Sequence, residues 1–173
     1  MIYAPDSPVG IDSKIYLLQY YIDGRLDALW NCNKAVYGRC QETERKGTKR
    51  LEVNLGGKEF VEPFVNDKNS CVVGFRINGR SVANHRLLAD VDVIFTMNVF
   101  DILGTNVYDD ERVLMQAYQL VKSSGMVNQL TGIKVGIDDV FSGIDTDNIK
   151  HRDMAPYMVF AFTCEIEYTE ELC

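Results

Sequence analysis

Between residues 91 and 100 apolar and polar side chains alternate almost without a break, and this constrains the chain more than any other feature. Val91, Val93, Phe95, Met97 and Val99 point one way, Asp92, Thr96 and Asn98 the other, with Ile94 and Phe100 as exceptions. A period of two describes a strand with one packed and one wetter face, and it argues against a helix over this stretch. Residues 157–168 repeat the pattern. There Met158, Phe160, Phe162, Cys164, Ile166 and Tyr168 share one side, and Glu165 and Glu167 the other. Two such segments require a sheet to belong to.

Shorter runs supply its other strands. Residues 34–40 suit one, and Leu51, Val53 and Leu55 alternate with Glu52 and Asn54 in another. Between them, residues 45–50 read as a charged hairpin tip, with Gly47 available for a positive φ. Gly56-Gly57 marks a further turn, and Phe60, Glu62 and Phe64 lead into a polar loop at 66–69. Cys71, Val73, Phe75 and Ile77 form one face of a strand closed by Asn78-Gly79, residues 81–86 then read as a polar connector, and residues 130–137 make one more strand.

Only two stretches change to a helical period. In residues 13–30, Ile15, Leu18, Ile22, Leu26 and Leu29 fall on one stripe, with Asp12 or Ser13 as the expected cap. In residues 109–124, Asp109 caps a stripe of Val113, Leu114, Ala117, Leu120 and Val121, and Gly125 stands at the exit. The fold class this predicts is α+β, a mainly antiparallel sheet packed by two helices with a projecting β-hairpin. At 173 residues, 46% of them hydrophobic, a single domain can bury a full core without staples. The expected division is an N-terminal arm at 1–12 and a core at 13–173, with a hairpin insertion at about 41–80.

Chemistry-bearing motifs are scarce. The five cysteines, Cys32, Cys40, Cys71, Cys164 and Cys173, are irregularly spaced, and His85 and His151 lie far apart, so no zinc site and no partnered nucleophile is expected. Asp145-Thr146-Asp147-Asn148 has the look of a calcium loop but lacks the Gly and Glu that an EF-hand needs. Gly132-Ile133-Lys134-Val135-Gly136 falls inside a predicted strand instead of before a helix, which argues against a phosphate cradle. No cofactor, metal or catalytic residue is predicted. No run reaches the ~18 apolar residues of a membrane span. The segment Met1-Ile2-Tyr3-Ala4-Pro5-Asp6 lacks the basic and apolar parts of a secretory signal, so a cytoplasmic site of synthesis and residence is expected.

Charge is distributed unevenly. Residues 1–89 carry 13 Lys and Arg against 10 Asp and Glu, whereas residues 90–173 carry 5 against 15. Such bipolarity suits head-to-tail association of identical copies. The expected contacts set Arg45, Lys46, Lys49 and Arg50 of one copy against Asp138, Asp139, Asp145 and Asp147 of the next. The same four cations could instead contact phosphates or form a merely solvated turn.

The order of elements, and in particular the strand at 91–100, the helix at 109–124, the strand at 130–137 and Asp153-Met154-Ala155-Pro156-Tyr157-Met158-Val159-Phe160, resembles tailed-bacteriophage tail-terminator and head–tail connector (neck ring) proteins. The ring proteins of crAss-like phages are similar in style. The likeness covers about residues 13–30 and 90–168 and rests on element order, without a diagnostic motif. It implies a non-enzymatic structural subunit, a homo-oligomeric ring with a DNA-passing lumen, and neck, portal or tail proteins as neighbours. It also implies a place in the virion after assembly in the host bacterial cytoplasm. Two other classes fit the same composition: a small cytoplasmic enzyme or ligand-binding domain with a site assembled from scattered residues, and a nucleic-acid-binding adaptor.

Overall fold

A computed structural model describes residues 7–56, 59–104, 106, 108–147, 149 and 154–169. His151, Cys173, Gly57, Asp153 and the first half of the expected N-terminal arm lie outside the described residues. The elements run α1 (Ile11–Leu29), β1 (Lys34–Arg45), β2 (Thr48–Gly56), β3 (Glu59–Val61), β4 (Cys71–Ala83), β5 (Arg86–Asn98), α2 (Val99–Leu103), α3 (Asp110–Lys122), β6 (Gln129–Val135), α4 (Ile137–Val140) and β7 (Tyr157–Tyr168). The seven strands form one sheet in the order β3-β2-β1-β4-β5-β7-β6. Every pairing is antiparallel except β1 with β4, so the chain is an α+β protein with a mixed sheet.

The two alternating segments are its spine. β5 pairs with β7 along twelve consecutive positions, from Leu87↔Tyr168 to Asn98↔Tyr157, with no slip. Register this long holds because a one-residue shift would turn every apolar side chain to the other face. Phe95, Phe160 and Phe162 meet at the centre, Phe95 stacking on Phe160 at 5.1 Å and meeting Phe162 edge-on at 6.0 Å. α1 and α3 cover this face with Ile15, Leu18, Ile22, Leu26, Val113, Ala117 and Val121, all fully or almost fully buried. Each of the Val, Leu and Ile side chains contributes about 1.5–3 kcal/mol, so packing rather than propensity holds α1 despite Gly24. α3 matches its sequence signals closely: Asp109 Oδ1 accepts from the Arg112 amide, and Gly125 sits at φ 68°.

Several expectations need correction. The second face of the sheet is packed as well. Asp92 and Thr96 are buried, and Ile94 joins Tyr37, Leu51, Val53, Val72, Phe141, Val159 and Ala161 in a second core. Its cover is the β1–β2 hairpin and α4, whose apolar content is too short and scattered to show as a period. Residues 41–80 are therefore no peripheral insertion, because β4 is the middle strand of the sheet. Nor does Asn78-Gly79 end β4. The register shifts there as a bulge, the strand continues to Ala83, and Asn84 and His85 make the turn at φ 50° and 63°. Val99 and Phe100 leave the sheet because the Asn98 side chain caps α2 through the Phe100 and Asp101 amides. At the other edge β6 stops at Val135, and Ile137 opens α4 after Gly136 at φ 92°. Neither Asp12 nor Ser13 caps α1: Gly10 holds that position, and Asp12 instead pairs with Arg39 at 3.0 Å.

Candidate assembly surfaces

The basic hairpin forms as the sequence suggests. Lys46 and Gly47 occupy a two-residue turn at φ 54° and 79°, flanked by the Arg45↔Thr48 pair. Its cations, however, find carboxylates within the chain. Arg45 lies 3.2 Å from the buried Glu52, which also accepts from the Thr43 hydroxyl. Lys49 reaches Glu42 at 4.0 Å and Arg50 reaches Glu62 at 3.7 Å. Lys46, exposed at the tip, has no carboxylate partner among the described residues.

The acidic residues come to the same neighbourhood. Asp138 and Asp139 are exposed in the first turn of α4. The loop after it crosses to the hairpin, where the Asp145 amide donates to the Lys49 carbonyl at 2.7 Å, and the Asp147 amide donates back to Asp145 Oδ1. Thus the basic hairpin and the acidic loop, expected to meet between copies, are already neighbours within one chain. The signal that could have shown this is the set of carboxylates on the hairpin's own strands, Glu42, Glu44 and Glu52, with Glu44 directly opposite Lys49.

A different surface is open. β6 ends the sheet, and no described strand pairs with its outer edge. Ile133 and Val135 stand on the helix-covered face opposite Phe162 and Phe160, yet remain 52% and 51% exposed. The only charge in this strand is Lys134, and its ammonium turns inward to Asp92 Oδ2 at 2.6 Å, while the Thr163 hydroxyl donates to Asp92 Oδ1 at 2.7 Å. A lysine is a usual guard of an edge strand. Here it is spent on a buried carboxylate, which leaves seven residues of edge without an outward charge. The opposite edge, β3, is three residues long and leaves Phe60 42% exposed.

Two further features have chemical character. A cleft of about 380 Å³ on the second face is lined by Val61, Phe64, Thr96, Met97, Tyr157 and Val159, with Glu62 at its rim. Burial raises the Glu62 carboxyl above its ordinary value, an effect that Arg50 partly offsets. At the start of β4, Cys71 donates a hydrogen bond to Cys32. That bond holds the Cys32 thiol below its ordinary value and, with burial, pushes Cys71 well above. Burial pushes Cys40 up to about 12, and burial together with the nearby Asp92 carboxylate pushes Cys164 up to about 12. His85 is exposed at the β4–β5 turn. No cluster of three or more metal-ligating side chains occurs among the described residues, and none of their helices is long and apolar enough to cross a membrane.

Searches of protein-family models, curated proteins and solved structures find nothing that matches this chain.

Proposed function

We propose that this protein is a structural subunit that joins copies of itself head to tail into a ring, of the kind that tailed phages place between head and tail. The observation that supports this best is the β6 edge. A row of backbone donors and acceptors, flanked by exposed Ile133 and Val135 and lacking an outward charge, is a surface for strand addition. A ring needs two different complementary surfaces on each copy. β6 of one copy and β3 of the next are such a pair, and joining them would continue the sheet and bring Phe60 onto Ile133 and Val135. Neck, portal or tail proteins are the neighbours this reading implies, and the virion is its location. The basic hairpin would contribute charge around the contact, chiefly through Lys46, since its other cations are held within the chain. Native mass spectrometry with negative-stain imaging tests the proposal: a closed ring of many copies supports it, and a monomer at tens of micromolar refutes it.

A second reading rests on the cleft at Glu62. An apolar pocket with one carboxyl raised by burial suits a small ligand with an apolar body and a hydrogen-bonding head. It would make the chain a ligand-binding domain or a small enzyme. Thermal shift against a small-molecule collection, repeated on Glu62→Gln, separates it from the first.

A further inference from the structure

α1 and α3 pack side by side on the sheet, and their outer surfaces leave a groove of about 620 Å³ between them. Along α3 it is lined by Arg112, Met115, Gln116, Gln119 and Ser123, which recur at three- and four-residue steps over the whole helix. Along α1 it is lined by Tyr21, Arg25, Ala28 and Leu29, and Leu17, 46% exposed, continues that stripe by one turn. The floor is apolar, and Met115 is 49% exposed upon it. A globular chain has no need to leave such side chains open along the length of two helices.

The charge of this groove is opposite to that of the chain. No Asp or Glu among the described residues lines it, although the protein carries 25 acidic residues against 18 basic ones. Arg112 has no carboxylate partner among the described residues, and Arg25 makes only a cation–π contact with Tyr21 at 5.7 Å. By contrast Arg39, Arg45, Arg50, Arg76 and Arg86 are ion-paired within the chain, and of the remaining described arginines only Arg80, exposed far along β4, is without an ion pair. Two unpaired guanidinium groups, one on each wall of an apolar trough, define what fits between them. They call for an apolar stripe flanked by carboxylates on both sides.

We infer that this groove docks an acidic amphipathic helix of a second protein, laid between α1 and α3 with its carboxylates on Arg25 and Arg112. A third helix suits a trough between two others, because its side chains enter the gaps of both. The apolar contact supplies most of the affinity, and the arginines select acidic over basic helices and fix direction. This surface lies on the helices and is separate from the sheet edges, so it does not depend on ring formation.

The test uses the full-length chain and a fluorescein-labelled synthetic helix of about five turns, with Leu at three- and four-residue steps flanked by Glu. A second peptide carries Lys in place of every Glu. Fluorescence anisotropy should show saturable binding of the acidic helix alone, weakened about tenfold or more by Arg25→Glu with Arg112→Glu, and weakened by added salt. Met115→Lys should weaken it as well, while circular dichroism stays unchanged in both variants. The inference is overturned if neither peptide binds, if both bind alike, or if the arginine reversals leave binding intact. It is also overturned if those reversals change the oligomeric mass of the protein, which would make the groove a contact between copies.

Discussion

Replacing Lys134 by Met isolates the interaction that ties β6 to the sheet. Asp92 is fully buried, and its described side-chain partners are the Lys134 ammonium at 2.6 Å and the Thr163 hydroxyl at 2.7 Å. Removing the ammonium leaves a buried carboxylate with one neutral donor. Breaking a fully buried pair costs about 3–5 kcal/mol. Lys134 is 35% exposed, so water partly replaces it, and about 2–3 kcal/mol is the expected loss. Asp92→Asn on the Lys134→Met background removes the stranded charge while keeping an oxygen for Thr163. The double variant should therefore be more stable than Lys134→Met alone by at least about 1 kcal/mol, well outside the additivity expected of independent sites. Urea unfolding followed by the fluorescence of Trp30, the chain's single tryptophan, measures both. If the double variant is no more stable than the single one, Asp92 does not depend on Lys134, and the account of the inward-turned lysine fails.

Three other outcomes follow from packing and burial. Phe95→Ala and Phe162→Ala should each cost about 3–5 kcal/mol in urea unfolding, because both rings are fully buried among other aromatics; a near-zero loss would mean the strand faces are misassigned. Gly74→Ala should cost about 1–3 kcal/mol by thermal unfolding, since its Cβ would stand 2.7 Å from Cys40 Sγ, and a neutral result would show that Cys40 can move aside. Of Cys32, Cys40, Cys71 and Cys164, iodoacetamide at pH 8 should modify Cys32 first. The raised thiols of Cys40 and Cys164, at about 12, stay protonated there, and peptide mass mapping that finds either modified as fast as Cys32 would contradict this.

What could be read from the sequence were elements whose signals are local. Asp109, the stripe from Val113 to Val121 and Gly125 define α3 without any tertiary help, and the alternation through Phe160, Phe162 and Cys164 defines β7. What could not be read depended on partners distant in the chain. Asp92 and Thr96 look like solvent-facing positions until Lys134 and Thr163 enclose the first and the second donates to the Pro63 carbonyl. Gln19 looks like an ordinary surface residue, yet it is buried and its side-chain amide donates to the Val36 carbonyl, at the point where β1 slips register against β4. Asn78-Gly79 and Asn84-His85 offer competing turns in one hairpin, and pairing with β5 beyond Gly79 selects the second. At the candidate surfaces, local composition revealed the basic hairpin but not its intrachain carboxylates. The β6 edge was hidden because its exposure depends on where Lys134 points and on β7 being the one described strand that pairs with it.

The most direct test of head-to-tail assembly through β6 is to restore the missing guard. Ile133→Lys with Val135→Lys places two charges on side chains that are already half exposed, so the fold should persist. Native mass spectrometry of the parent chain should give a closed multiple of the subunit mass, and the double variant should give a monomer with an unchanged circular dichroism spectrum. A parent that stays monomeric, or a variant that assembles as readily as the parent, would contradict the account.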